Sequence, residues 1–182
     1  DDKILLTARS GFPDNQLYVA RYNENGSVDT GFGANGILMT TIKGSVGRDH
    51  SITILPDGKI LVCGYNSIEK EFQLVRIQSD GSLDSSFGKS GISESYGVPS
   101  YANGGCAIVL QEDGKIIISA CQANYHSYYR IRFEADGKVD KTFGDSGVSY
   151  SDFSHLASAG TSLYIRDDKL IQLAYKGPPE NK

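Results

Sequence analysis

The chain of 182 residues has no tryptophan, one methionine, five prolines and three cysteines. Without tryptophan it lacks the indole platforms on which sugar rings stack. No stretch approaches the roughly 18 consecutive apolar residues of a membrane helix. There is no run of lysines or arginines, and the net charge is −4. That excludes the clustered basic face that nucleic acid needs. The three histidines, His50, His126 and His155, follow no metal-ligand spacing, and no C-x-x-C occurs. No G-x-S-x-G elbow is present. A Ser–His–Asp arrangement assembled from distant residues stays open, because such triads are defined by geometry. Asp14-Asn15 and Asp145-Ser146-Gly147 do not make an EF-hand loop. The expectation is a protein without metal, cofactor or catalytic residues.

What is abundant is glycine, and it recurs in order. Gly-Ser-Val-Asp-Thr-Gly-Phe-Gly-Ala-Asn-Gly-Ile occupies positions 26–37. It returns as Gly-Ser-Leu-Asp-Ser-Ser-Phe-Gly-Lys-Ser-Gly-Ile at 81–92 and Gly-Lys-Val-Asp-Lys-Thr-Phe-Gly-Asp-Ser-Gly-Val at 137–148. A second signature runs in antiphase, at 55–62 and 110–117, with degenerate copies at 2–5 and 168–171. Its lysines stand at 3, 59, 115 and 169. A fixed period of this length marks a propeller or solenoid array.

Asp-Gly between two apolar runs predicts a hairpin closed by a two-residue type I′ turn. The hairpins therefore join 52–55 to 59–64 and 107–110 to 115–120. A third strand follows at 16–22, 72–77 and 128–133, and a short fourth at 37–41, 92–95 and 148–151. Four antiparallel strands per repeat define an all-β propeller-like blade. The chain holds about three and a quarter repeats, at 1–56, 57–112, 113–166 and a partial 167–176, with 177–182 as a linker or tail. That is too few to close a usual propeller of roughly 4–8 blades. The favoured explanation is a piece of a longer array. Two copies completing one ring, or a capping partner, are the alternatives.

Residues that recur in every repeat are expected to build it. Gly33, Gly88 and Gly144 take a backbone conformation closed to other residues. Phe32, Phe87 and Phe143 plug the space between blades. Asp29, Asp84 and Asp140 accept backbone N–H groups in their turns. Arg21, Arg76 and Arg132, each eight residues earlier, bridge to those aspartates. The carboxylates Glu69/Glu71 and Asp167/Asp168 read as solvated turns.

In the two-residue turn register Cys106 faces Cys121, which makes a disulfide one option and two buried thiols the other. Cys63 reads as a core thiol. The one aromatic cluster outside the repeat pattern is Tyr125, His126, Tyr128 and Tyr129. It is the candidate ligand-binding surface, against the alternative of strand residues packed on the next blade.

The paired signatures resemble the delta-60 repeat, a bacterial family of β-propeller type. The residues that carry the resemblance are Asp57 to Gly64, Ala20 to Tyr22 and Asp80 to Gly91. The first and last hairpin copies depart from it, with Asp2 and Asp168 in place of glycine. The resemblance implies a secreted or surface protein of the kind exported by type IX secretion, and no established activity. The expected function is non-enzymatic protein binding or scaffolding, through protein partners or further repeats. A glycan-binding or glycan-processing propeller, and a structural spacer or secretion cargo, are the alternatives.

Overall fold

The computed structural model describes residues 2–10, 16–40, 42, 51–66, 68–97, 102–122, 127–152, 162–167 and 169–173. The tail at 177–182 lies outside them. Among the described residues, thirteen strands form four antiparallel sheets. The first sheet orders β1 (Ile4–Arg9), β2 (Leu17–Tyr22) and β3 (Ile37–Met39). The second orders β4 (Ser51–Ile54), β5 (Ile60–Asn66), β6 (Glu71–Ile77) and β7 (Tyr96–Gly97). The third repeats that pattern with β8 (Ala102–Leu110), β9 (Ile116–Gln122), β10 (Ser127–Phe133) and β11 (Val148–Asp152). A final hairpin pairs β12 (Ser162–Arg166) with β13 (Lys169–Leu173). These are consecutive up-and-down blades of an all-β propeller-type fold. The fourth strand expected at 92–95 is displaced. Ile92 makes an isolated bridge to Val75, and the paired strand is β7.

The hairpin turns differ from the sequence expectation in a way that shifts register. Gly58 and Gly114 have φ of +82° and +83°, but neither Asp57 nor Asp113 has positive φ. Gly58 N–H bonds to the Leu55 carbonyl and Leu55 N–H to the Lys59 carbonyl. This is a three-residue loop, a type I turn followed by a glycine bulge, with Pro56 pre-set for its first corner. Type I′ is thus corrected, and so is the register. Cys106 pairs with Ala120, and Cys121 with Tyr128. A one-residue slip moves a position to the other face.

Each inner sheet is buried on both faces. In β5, Leu61, Cys63 and Tyr65 pack with Ile116, Ile118 and Ala120 of the third blade. The intervening Ile60 and Val62 pack with Leu17, Val19 and Phe32 of the first. This is why β5 is buried along its whole length. Beyond the third blade, Leu163 and Leu170 of the last hairpin pack on Ala107 and Ile117.

Cys63 is disulfide-bonded, which corrects its reading as a core thiol. Either of the other cysteines is several tens of residues away in sequence, and for a loop of that length the chain-entropy account gives about 4 kcal/mol at most. Cys63→Ser is expected to lower the unfolding free energy by about 2–4 kcal/mol relative to the oxidised protein. Denaturant unfolding with and without reductant checks this, and reductant should have little effect on the variant.

Candidate functional site

The recurrent signature folds into the same charged corner in each blade. After the third strand the chain reverses through a glycine turn and bridges back, as Ile77 does to Leu83 and Phe133 to Val139. This sets an aspartate beside the arginine of the third strand. Arg21 Nε lies 2.8 Å from Asp29 Oδ2, Arg76 Nε 2.7 Å from Asp84, and Arg132 Nε 2.7 Å from Asp140. The other carboxylate oxygen accepts the backbone N–H two residues on, from Gly31, Ser86 and Thr142 at 3.2, 3.1 and 3.0 Å. Ser86 and Thr142 add a hydroxyl at 2.7 and 2.6 Å.

A third partner was missed in the sequence. The lysine just before the second strand of each blade reaches the same oxygen: Lys3 to Asp29 at 3.2 Å, Lys59 to Asp84 at 3.1 Å and Lys115 to Asp140 at 2.7 Å. Its period of 56 residues between Lys3, Lys59 and Lys115 was the available signal. Each guanidinium also lies over the signature phenylalanine, at 4.6 Å from Phe32, 4.5 Å from Phe87 and 4.6 Å from Phe143. That adds a cation–π contact to the ion pair.

Burial alone would raise the Asp84 carboxyl. The Ser86 hydroxyl and N–H, with the Lys59 and Arg76 cations, outweigh it and hold the group well below the usual carboxylate range. Lys115 leads the forces that lower Asp140, followed by the Thr142 hydroxyl. Asp29 is lowered chiefly by Lys3. Lys59 and Lys115 move up in return, each mainly through its aspartate. These carboxylates stay ionised at ordinary pH and have no proton to donate.

The corner is also the joint between blades. Arg21 Nη1 donates to the Ser79 carbonyl of the second blade, and Arg76 Nη1 to the Ala135 carbonyl of the third at 2.9 Å. One residue on, the Gly33 and Gly88 N–H groups donate to the Asp80 and Asp136 carbonyls at 2.8 and 2.7 Å. Gly33, Gly88 and Gly144 have φ of +53°, +50° and +55°. The following turn glycines close the contact. A Cβ at Gly81 would overlap the Gly33 backbone and touch the Phe32 ring, and one at Gly137 would lie 2.9 Å from the Phe87 ring. Phe32 and Phe87 are fully buried in these joints.

The tyrosine cluster separates. Tyr128 is fully buried and Tyr129 nearly so, at 9% exposure, packed in the interior of the blade stack. This corrects their reading as ligand contacts, because a strand in a sheet covered on both faces presents neither side to solvent. Tyr125 and His126, like His50 and His155, lie outside the described residues. A cleft of about 280 Å³ opens between the hairpin turns of the second and third blades, lined by Leu55, Pro56, Arg76, Leu110, Gln111 and Ala135. It falls just under the roughly 300 Å³ at which small-molecule sites begin. Among the described residues no three metal-ligating side chains cluster, and no helix is long and apolar enough to cross a membrane.

A family model described as a β-propeller domain of unknown function, DUF5122, matches residues 1–32 and 55–87. Each matched segment ends at a signature phenylalanine, Phe32 or Phe87. No curated protein matches the sequence. Among solved structures, an exo-β-1,3-galactanase from Clostridium thermocellum superposes with a TM-score of 0.50 and 11% identity, over 94% of this chain and 38% of that one. The chain thus spans well under half the length of that enzyme, and a likeness at this identity bears on the fold alone. Together these findings define a chain of β-propeller-type repeats.

The depressed pKa of Asp84 sets a pH dependence. An unfolded aspartate titrates near 3.9. The folded value lies below it, so the stabilisation is complete above about pH 4 and is lost as pH falls through the folded value. Asp84→Asn is expected to cost about 2–3 kcal/mol at neutral pH, since it leaves two cations at a buried site without their charge partner. The variant should also lose less stability than the parent between about pH 4 and 2. Urea unfolding of both proteins across that range measures the difference.

Proposed function

We propose that this chain is a non-enzymatic binding or scaffolding module, secreted or held at a bacterial cell surface, and that its partners are proteins. The observation that carries the reading is the use of the recurring ionisable groups. Asp29, Asp84 and Asp140 are each neutralised by a lysine and an arginine, and each arginine is layered on a phenylalanine. Groups engaged in this way hold blades together and are unavailable for proton transfer or covalent chemistry. Recognition then falls to loop residues that differ between repeats. The Cys63 disulfide supports an oxidising compartment. The order of the two signatures favours the delta-60 repeat type, for which type IX export is the matching route.

The glycan reading draws on the galactanase fold alone. Its test is direct. Purified protein is incubated with β-1,3-galactan and printed on a glycan array, while a label-transfer derivative is presented to bacterial surface proteins. The expected result is no release of reducing sugar, no array signal above background and saturable transfer to a defined protein. Sugar release at a rate proportional to enzyme concentration would replace the scaffold reading with glycoside hydrolysis.

A further inference from the structure

The cleft between the hairpin turns of the second and third blades has two unlike walls. The hydrogen bonds of the turns fix which residues correspond. Leu55 N–H bonds to the Lys59 carbonyl and Gln111 N–H to the Lys115 carbonyl. Gln111 therefore stands at the position of Leu55, and Glu112 at that of Pro56. All four line the cleft. The second blade presents an apolar wall, and the third presents a glutamine and a glutamate at the same two positions.

Blade construction accounts for neither polar residue. Among the described residues the Gln111 amide oxygen is buried and has no hydrogen-bond partner. A buried acceptor without a donor opposes folding, so it needs a reason. Leu55 closes the equivalent turn without an amide. The Gln111 side chain as a whole is half-buried. Its last torsion is soft, so a small rotation brings the oxygen to the cleft surface. Glu112 is exposed and has no ion-pair partner among the described residues.

The cations beside the cleft are already engaged. Arg76 gives Nε to Asp84, Nη1 to the Ala135 carbonyl and Nη2 to the Ser86 hydroxyl. Lys59 lies between Asp57 and Asp84, at 3.2 and 3.1 Å. Setting Asp57, Asp84 and Glu112 against these two cations leaves one carboxylate unmatched. The cleft thus combines apolar surface, an acceptor in want of a donor and a surplus of negative charge.

We propose that this cleft receives a lysine or arginine side chain of a partner protein. The methylene stem lies against Leu55 and Pro56, and the cationic head donates to Gln111 Oε1 and the Glu112 carboxylate. Long basic side chains carry both parts, an apolar stem and a charged tip. An apolar side chain would leave the Gln111 oxygen unpaired, and an acidic one would meet like charge. A volume of about 280 Å³ is small for a free ligand and agrees with one inserted side chain. The inference rests on the reading that the partners are proteins.

NMR titration of the isotope-labelled chain with Nα-acetyl-lysine amide, Nα-acetyl-arginine amide and Nα-acetyl-norleucine amide tests the cleft. Both basic probes should shift the Gln111 side-chain amide and the Gly114 backbone amide, which also lines the cleft, in a saturable way. The norleucine probe should bind about tenfold more weakly or not at all. Added salt should weaken the basic probes. Gln111→Leu copies the second blade and is expected to fold, as circular dichroism checks. It should lose about tenfold in affinity for the lysine probe, read at Gly114. Glu112→Gln, at an exposed site, should lose about threefold. Unsaturated shifts with both basic probes overturn the proposal, as does a norleucine probe that binds equally well or a Gln111→Leu variant that binds lysine unchanged. Label transfer to surface proteins separates this from the scaffold reading. Transfer that Gln111→Leu leaves unchanged overturns the cleft assignment alone. Absence of any transfer overturns the protein reading, and with it a protein occupant for the cleft.

Discussion

One oxygen in each blade organises the rest. Asp84 Oδ2 receives Lys59 from the second strand and Arg76 from the third, while Oδ1 caps the turn that carries Phe87. An ion pair on an exposed surface is worth little. Here the carboxylate is buried and nearly every lone pair is used, which is the condition under which a buried charge is tolerated. The arginine is fixed by that pair, and its remaining nitrogen reaches the carbonyl of the next blade. A lysine could not serve there, because a single ammonium does not present two nitrogens in a rigid plane. Local turn, intra-blade pairing and inter-blade contact are therefore one constraint.

The apolar contacts depend on this geometry. Stacked sheets need side chains that interdigitate, and a small rotation between blades would uncover one edge. The carbonyl contacts from Arg21 and Gly33, and from Arg76 and Gly88, set that rotation at two successive joints. The glycines at 81 and 137 allow the backbone of one blade to rest on the phenylalanine of the one before. The hydrophobic cores between the sheets supply most of the free energy, and the corners supply the register.

Much of this was legible because the chain repeats. A period of about 55 residues identifies the blade, and the Asp-x-x-Phe-Gly string alone marks the corner. The lysine contact was equally periodic, but a residue beside a turn glycine reads first as turn chemistry. Asp-Gly alone suggests a two-residue turn, whereas Pro56 in the second blade and Glu112 in the third belong to the loop as well. The extra loop residue shifts the register by one position, so that Cys106 stands opposite Ala120. The burial of Tyr128 and Tyr129 is hidden in the sequence for a different reason. Alternation along a strand tells inside from outside only when one face meets solvent, and these sheets are covered on both.

An array built from one repeated joint behaves as a one-dimensional chain of neighbours, in which each blade is stabilised by the contacts it shares. The joints here are alike in their corners. The same corner chemistry in every blade carries no information about a ligand. A scaffold of this kind separates the residues that hold its shape from the residues free to vary. The charged corner takes the signature aspartates, lysines and arginines into the first group.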